Sequence, residues 1–264
     1  MKTYYYAHTG HRIGLDRFRR AATLLNALKE FDITLLTSDY RIAMEARAFG
    51  VEKSVGIDVV RNIPNIAKKG DRLILDSDEV NPIMLEDMKQ YFSTFIHVKS
   101  DECVVDEKYF GAFEKNTKIT YFFGDDDYEK DLEKHLEFID GLDASLQLGF
   151  YYFLDYEDML KKRFANYFEF EEYDTMIKSS EILITASPQA ALESLAAGGK
   201  PIYLQREDYP QDFKNLFHAL NIPMVYQYDK KVLTKIINSI DNNNYKRTET
   251  NCNKTVEFIK NSLT

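Results

Sequence analysis

Tryptophan is absent from the sequence and cysteine occurs only twice, although tyrosine and phenylalanine each occur 18 times. Cys103 and Cys252 lie far apart and match no zinc-binding or redox spacing, so we expect two reduced thiols in a reducing compartment. No export signal precedes the first strand-like run, and no apolar stretch approaches the roughly 18 residues of a membrane span. These absences predict a cytoplasmic protein without a membrane span.

Positive charge is scarce as well. Lys and Arg total 34 against 43 Asp and Glu, which gives a formal net charge of −9 and a pI of about 5.2. Because nucleic-acid phosphates bind to basic surfaces, this balance argues against a nucleic-acid-binding protein. The densest basic group consists of Arg12, Arg17, Arg19 and Arg20.

Several motifs of catalytic chemistry are also missing. The sequence has no nucleophile-elbow Gly-x-Ser-x-Gly and no P-loop. None of its His, Cys and Asp residues are grouped with the spacing of a metal site. We therefore expect neither a bound metal nor a resident cofactor.

Short apolar strands and amphipathic helices alternate from the first residue. The strand-like runs TYYYA, ITLLTS, DRLILDS and TFIHVKS are separated by helical segments, and a weaker strand is expected near Val55. One helix places Leu15, Phe18, Ala22, Leu25 and Leu28 on a single face. Strict alternation of this kind predicts a parallel sheet covered on both faces, so the fold class is α/β.

The pattern restarts near Lys115 and continues through the runs KITYFF, DASLQLGF, NYFEF, EILITAS and KPIYLQ. We therefore predict two Rossmann-type lobes, over residues 1–114 and 115–264. A polar joint at 241–251 precedes a last helix at 251–263, which is expected to return to the first lobe. In parallel α/β sheets, ligands bind beyond the carboxyl ends of the strands, so the expected site is a cleft between the lobes.

The loop after the first strand is the first candidate for that site. Gly10 and Gly14 would let the backbone approach a ligand, and the N-terminus of the following helix offers free N–H groups to an anion. His11 lies between the two glycines and is a candidate acid or base.

The stretch GLDRFRRAATLLNAL, which begins at Gly14, resembles the opening of small GT-B proteins related to the UDP-sugar hydrolase of the pseudaminic acid pathway. Those relatives carry Gly-x-Gly-His-x-x-Arg at this turn. Gly14 and Arg20 match the first glycine and the arginine, whereas Asp16 replaces the second glycine and Arg17 replaces the catalytic histidine.

A second register aligns Thr9 to His11 with the Gly-Gly-His of the peptidoglycan N-acetylglucosaminyltransferase, a family 28-type glycosyltransferase. This register keeps a histidine, His11, in the loop, while His8 is a weaker candidate. The resemblance to the hydrolase also covers 71–102, with Asp76 at a strand end. Asp76 is a candidate to orient a base or a sugar hydroxyl, or alternatively to cap a helix.

In the second lobe, SSEILITASPQAALESLAAGGKPIYLQ looks like the nucleotide-sugar half-site of GT-B enzymes. The resemblance implies that Ser187 and Gln189 supply hydrogen bonds at a helix N-terminus and that Glu193 binds the ribose. The alternative is a plain Ala/Leu helix with an exposed glutamate. Gln211 and Asn215 stand where relatives place a sugar-contacting turn.

The turn Gly124–Asp127, GDDD, departs from the Gly-Gly-Thr-Asp that approaches the diphosphate in the hydrolase. Asp127 is expected to cap a helix, whereas Asp125 and Asp126 bring two carboxylates to the phosphate position. Unit charges about 4 Å apart repel by roughly 4 kcal/mol at an effective dielectric of 20. Either a cation intervenes, the carboxylates turn to solvent, or no diphosphate binds.

The resemblance implies a nucleotide-sugar substrate, most simply UDP-linked, and metal-independent hydrolysis or glycosyl transfer in cell-surface or flagellar glycan biosynthesis. His11, Arg17 and Asp76 would line the acceptor side, although Arg17 cannot be a base because guanidinium keeps its proton. It would instead stabilise a departing phosphate. The alternative is a GT-B-like binding or assembly protein that has lost the chemistry. The oligomeric state is not predicted.

Overall fold

A parallel five-stranded sheet forms the centre of the first of two units in the computed structural model, which describes residues 1–246 and 252–264. This unit contains Met1–Val104 and the described C-terminal residues. Its strands are β1 Thr3–Ala7, β2 Ile33–Thr37, β3 Ser54–Gly56, β4 Arg72–Asp76 and β5 Thr94–His97. The order β3-β2-β1-β4-β5 places β1 at the centre of the sheet.

Helices cover both faces of this sheet. They are α1 Asp16–Ala27, α2 Tyr40–Glu45, α3 Pro82–Tyr91 and, at the C-terminus, α10 Cys252–Leu263. The predicted apolar face of α1 is confirmed, because Leu15, Phe18, Ala22, Leu25 and Leu28 are all buried. The helix expected near 59–68 is a shorter 3-10 helix over Val60–Asn65 that contains Pro64.

Helix α10 packs on the first unit. Ile259 and Val256 are buried, and Lys260 Nζ lies 2.5 Å from Glu30 Oε1 near the end of α1. The Thr255 hydroxyl donates a hydrogen bond to the Glu102 carboxylate. Of the polar joint expected at 241–251, residues 247–251 lie outside the described part of the chain.

The second unit is built on a six-stranded parallel sheet. Its strands are β6 Thr117–Phe122, β7 Ser145–Gln147, β8 Tyr167–Phe168, β9 Ser180–Thr185, β10 Lys200–Gln205 and β11 Met224–Tyr226. The order is β11-β10-β9-β6-β7-β8, so β6 occupies the central position that β1 has in the first unit. The sequence patterns did not predict β11, which is only three residues long.

The helices of the second unit are α4 Asp131–Lys134, α5 Leu154–Arg163, α6 Tyr173–Ser179, α7 Pro188–Ala196, α8 Lys214–Leu220 and α9 Lys230–Asn238. Every residue of α7 is buried, which fits its Ala- and Leu-rich sequence. After KITYFFGDDD the chain forms a single helical turn, α4, followed by a 3-10 helix over Leu136–Phe138.

The second unit begins at Val105, whereas the sequence pattern placed the boundary after residue 114. The intervening segment contains no strand that would have signalled the change. It packs on the second unit through Tyr109, whose hydroxyl donates to Asp174 Oδ1 at 2.5 Å. At its end, Lys115 Nζ donates to the Lys178 carbonyl oxygen at 2.7 Å.

Both units confirm the predicted α/β class with Rossmann-type parallel sheets. In each, the chain first builds one side of the central strand and then crosses to the other side. The strand order therefore reverses between β1 and β4 and between β6 and β9, which is where ligands bind in such sheets. Across residues 1–246 and 252–264, none of the helices has the length and apolar character needed to cross a bilayer.

Candidate functional site

The carboxyl edge of the first sheet carries a cluster of charged side chains at the β1–β4 reversal. Ala7 and Asp76 end these two strands side by side, and the His8 amide donates to the Asp76 carbonyl oxygen at 3.0 Å. Arg17 and Arg20, from the first turns of α1, extend to the same edge. Asp76 comes 56 residues after Arg20 in the sequence, and the parallel pairing of β1 and β4 brings the two side chains together.

Asp76 is fully occupied within the fold. Arg20 Nε lies 2.9 Å from Asp76 Oδ2, Arg20 Nη2 lies 2.5 Å from Oδ1, and the Tyr5 hydroxyl donates to Oδ2 at 3.0 Å. Burial and the Asp76 charge raise the pKa of Tyr5, so its hydroxyl stays protonated. The helix-capping alternative for Asp76 is wrong, because Asn81 caps α3.

Asp78 joins His8 and Arg17. His8 Nδ1 lies 2.8 Å from Asp78 Oδ1, and Arg17 Nη2 lies 3.1 Å from Asp78 Oδ2. The His8 hydrogen bond, helped by the Arg17 charge, lowers the pKa of Asp78, so this carboxylate is ionised. A carboxylate at Nδ1 fixes the orientation of the ring and leaves Nε2 to exchange protons, with Glu79 Oε2 3.8 Å away.

His11 lies in a different environment from His8. It is exposed in a turn closed by hydrogen bonds from the Ile13 and Gly14 amides to the Gly10 carbonyl oxygen, at 3.0 and 2.8 Å. The side chain of His8, by contrast, is only 14% exposed. The structure therefore presents His8 as the less exposed of the two histidines, with its ring oriented by Asp78.

On the second sheet, the β6–β9 reversal brings two predicted segments together. Phe122 pairs with Thr185, and the Ala186 amide donates to the Phe122 carbonyl oxygen at 3.2 Å. The turn Gly124–Asp127, here called the acidic turn, therefore lies beside Ser187 at the start of α7. Gly124 has φ +128°, and a Cβ atom there would come within 2.9 Å of Asp126 Oδ1, so glycine is required.

A buried arginine pairs with one of the three carboxylates of the acidic turn. Arg206, directly after β10, places Nη1 3.0 Å from Asp126 Oδ1, and both side chains are nearly inaccessible. Its other nitrogens contact Asp208 at 2.9 and 2.5 Å. The guanidinium also lies over the rings of Phe123 and Tyr209, at 4.6 and 4.3 Å from their centroids.

The other two carboxylates of the acidic turn also point into the fold. Asp125 is 2% exposed, and its Oδ1 accepts from the Phe150 amide at 3.2 Å. Asp127 Oδ1 accepts from the Asp131 amide at 2.6 Å, although the N-cap residue of α4 is Lys130 and not Asp127 as expected. Of the three alternatives for this turn, the one in which the carboxylates turn to solvent is wrong, and the other two stay predictions.

The start of α7 is pre-formed. Ser187 is its N-cap, with Oγ accepting from the Ala190 amide at 3.0 Å, and Pro188 occupies the first helical position. The Ser187 amide donates to Thr185 Oγ1 at 3.0 Å. The positive end of the α7 dipole therefore points towards the carboxyl edge, beside the acidic turn.

Glu193 is buried rather than exposed, so the alternative of an exposed helical glutamate is wrong. The Tyr173 hydroxyl donates to Glu193 Oε2 at 2.7 Å, and Gln189 Nε2 donates to Oε1 at 2.8 Å. Gln189 and Glu193 thus contact each other one helical turn apart. A ribose hydroxyl that approached Glu193 would have to replace one of these two donors.

Gln211 and Asn215 are exposed, in the loop after β10 and in the first turn of α8. Both residues are distant in sequence from Ser187 and Glu193. Like Arg206, they come after the carboxyl end of β10. Within the described ranges 1–246 and 252–264, the side chains of His, Cys, Asp and Glu form no group of three that could hold a metal ion.

Sequence reasoning missed Arg206, Tyr173 and Asp78. A signal for Arg206 was present, because an arginine directly after the apolar run KPIYLQ lies at a strand's carboxyl end. Its partner Asp126 is 80 residues away, and nothing in either local sequence links the two. Asp78 lies two residues after a strand end, in a polar stretch that looked like an ordinary loop.

Comparisons with known proteins identify the fold. No protein-family model matches the sequence, and no curated protein matches it. The structure is similar to that of UDP-GlcNAc 2-epimerase from Methanocaldococcus jannaschii in complex with UDP-GlcNAc and UDP. The TM-score is 0.60 and the identity 11%, over 99% of this chain and 100% of the other.

Two glycosyltransferases are also similar in structure. The spinosyn rhamnosyltransferase SpnG complexed with thymidine diphosphate gives a TM-score of 0.56 at 9% identity, over 100% of this chain and 96% of the other. The glycosyltransferase SnogD from Streptomyces nogalater gives 0.54 at 11% identity, over 99% of both chains. The chain therefore has a GT-B-like fold of two Rossmann-type parallel-sheet units.

The Asp126–Arg206 pair predicts a specific pH dependence of stability. Burial raises the pKa of Asp126 to about 6, and the Arg206 charge offsets only part of that shift. The folded protein therefore binds this proton more tightly than the unfolded chain, so Asp126 lowers stability as pH rises from about 4 to about 7. Relative to Asp126→Asn, the free energy of unfolding of the wild type should fall by up to about 3 kcal/mol over that range.

Urea unfolding at pH 4, 5, 6 and 7 measures this difference. Asp208→Asn is the matched control, because it removes the half-exposed carboxylate on the other side of the same guanidinium. The free energy of unfolding of Asp208→Asn should vary with pH in parallel with that of the wild type. A profile of Asp126→Asn that is also parallel to the wild type would show that burial does not dominate at Asp126.

Proposed function

We propose that this chain is a nucleotide-sugar-processing protein that binds the diphosphate of a UDP-linked sugar on the second unit. The names of proteins with similar folds, a UDP-GlcNAc 2-epimerase and two glycosyltransferases, are consistent with this substrate class. The observation that carries the proposal is the pairing of Arg206 with Asp126 in the acidic turn, beside the N-terminus of α7.

The electrostatics support a diphosphate at this place. Asp125, Asp126 and Asp127 are 1–3% exposed, so their charges are directed into the fold and not towards a ligand. Arg206 supplies a compensating positive charge within hydrogen-bond distance of Asp126. The dipole of α7 then favours an anion beside its N-terminus, where the Ser187 and Ala190 amides already donate within the chain.

The acid–base group of the proposed reaction is His8, held by Asp78, on the first unit. It takes the role that the sequence patterns assigned to His11, because its ring is oriented by a carboxylate 2.8 Å away. Arg17, which contacts the same carboxylate, adds a permanent positive charge to this group. Asp76 supports this group indirectly, by fixing Arg20.

The chemistry would be hydrolysis of the UDP-sugar, with His8 activating water, or transfer of the sugar to an acceptor hydroxyl. On the donor side, Ser187, Gly124 and the start of α7 hold the diphosphate. Gln189 and Glu193 support α7 from within, since they bond to each other and to Tyr173. A role in cell-surface or flagellar glycan biosynthesis remains the expected biological setting.

A second candidate function is nucleotide-sugar binding without catalysis. The observation that favours it is that Asp76 and Glu193 already accept hydrogen bonds from partners within the chain. In GT-B relatives the glutamate at the position of Glu193 binds the ribose, so its engagement by Tyr173 removes a contact of the donor site. The two candidates differ in whether UDP is released from a UDP-sugar.

Isothermal titration with UDP and with uridine tests the diphosphate site through two variants of Ser187. Ser187→Asp and Ser187→Asn both keep an oxygen that can accept from the Ala190 amide, so both preserve the N-cap. Only the aspartate adds a negative charge beside the diphosphate, where unit charges about 4 Å apart repel by roughly 4 kcal/mol.

We expect Ser187→Asp to weaken UDP binding at least tenfold relative to Ser187→Asn, with any uridine binding unchanged between them. Thermal unfolding of both variants controls for folding. Equal affinities of the two variants for UDP would place the diphosphate elsewhere, and no binding of UDP or UDP-sugars to the wild type would refute the proposed function.

A second experiment compares the two loop histidines. UDP release from a panel of UDP-sugars should fall about a hundredfold or more in His8→Asn, because a positioned acid–base group contributes at least that factor. His11→Asn, at the exposed turn, should keep near-normal turnover. Loss of turnover only in His11→Asn would contradict the assignment, and wild-type protein that binds UDP-sugars without releasing UDP would favour the non-catalytic candidate.

A further inference from the structure

Two exposed aromatic rings lie next to the acidic turn. Tyr128 and Phe153 are 38% and 44% exposed, and their ring centroids are 5.0 Å apart with planes inclined by 59°. We call these two residues the aromatic pair. Burying large aromatic rings is stabilising. An exposed pair of rings beside a polar sheet edge therefore points to a ring-shaped ligand.

The aromatic pair is joined rigidly to the acidic turn. The Tyr128 amide donates to the Asp126 carbonyl oxygen at 2.8 Å. In the loop before Phe153, the Tyr151 amide donates to the Asp125 carbonyl oxygen at 2.9 Å. Gly149 makes this approach possible, because a Cβ atom there would lie 2.5 Å from the Gly124 carbonyl oxygen.

The loop before α5 contains both buried and exposed aromatic rings. Tyr151 and Tyr152 are 3% and 7% exposed, and they hold the loop against the sheet. Phe153 and Leu154, the next two residues, are exposed at the start of α5. The exposure of Phe153 is therefore local to the end of an otherwise well-packed aromatic segment.

The charges around the aromatic pair restrict the class of ligand. Glu129, Asp155 and Asp158 are exposed carboxylates within a few residues of the two rings. Such a surface repels anionic membranes and the phosphate chains of nucleic acids. A single nucleotide avoids this repulsion when its diphosphate lies at the acidic turn and only its neutral base reaches the rings.

We propose that the aromatic pair is the stacking subsite for the base of the bound nucleotide. This inference rests on the proposed function, because it places the diphosphate at the acidic turn. It directs the nucleoside towards the β7 side of that turn, away from Glu193, whose oxygens already bind Tyr173 and Gln189. Bases stack on aromatic side chains without sequence preference, so the subsite accepts the ring of uracil or of thymine.

The absence of tryptophan gives a direct probe of this subsite. Phe153→Trp introduces the single indole of the chain at the proposed stacking position. Titration with UDP should quench its fluorescence, because a stacked base contacts the indole, whereas inorganic pyrophosphate should bind without quenching. Leu154→Trp, one residue further at a 74% exposed position, is the matched control and should show little change.

Affinities provide the second measurement. Phe153→Ala should weaken UDP binding about tenfold, within the range measured for loss of one base–aromatic stack, and leave pyrophosphate binding unchanged. Leu154→Ala should change neither UDP binding nor pyrophosphate binding. Because Phe153 is exposed, its removal should leave thermal unfolding nearly unchanged.

The outcomes separate this inference from the proposed function. If UDP and pyrophosphate bind but Phe153→Ala has no effect on either, the subsite is wrong and the diphosphate site stands. If Phe153→Ala weakens binding of a UDP-sugar but not of UDP, the rings contact the sugar and the base assignment is overturned. Failure of both UDP and pyrophosphate to bind overturns the proposed function together with the subsite.

Discussion

The ion pair between Arg206 and Asp126 is the interaction on which the second unit's ligand-binding edge depends. Three consecutive carboxylates at a strand end would make that edge repel any phosphate. Arg206 is held between two aromatic rings and bonded to two aspartates, so its charge is fixed at the turn. Breaking a buried pair of this kind leaves an uncompensated charge in the fold, which is strongly destabilising. The Arg206 charge therefore offsets part of the cost of burying Asp126.

The two units have a similar arrangement of ion pairs at the carboxyl edge of the sheet. In the first unit Arg20 pairs with Asp76, and Asp78 is shared between His8 and Arg17. In each unit a buried arginine pairs with a buried aspartate near the strand reversal. What differs is the remaining chemistry: the first edge keeps an oriented histidine, and the second keeps a helix N-terminus beside the acidic turn. We assign acid–base chemistry to the first and anion binding to the second.

Much of the fold could be predicted from the sequence, because apolar strand-length runs and amphipathic helices are local signals. The buried face of α1 followed from that pattern. Strand β11 and the unit boundary did not, since three residues and a strandless segment carry little periodicity. The site was harder, because its partners are distant in sequence. Glu193 was predicted to bind a ribose, whereas its hydrogen bond from Tyr173, on another helix, could not be predicted from the sequence.

Hydrogen–deuterium exchange with and without saturating UDP tests the central claim most directly, because it reports where on the chain the nucleotide acts. The account predicts slower exchange in peptides covering 123–130 and 186–191, which contain the acidic turn and the start of α7, with no change in α9 at Lys230–Asn238. Unchanged exchange in both segments while UDP is bound would contradict it, because the acidic turn would then not be the place where the diphosphate binds.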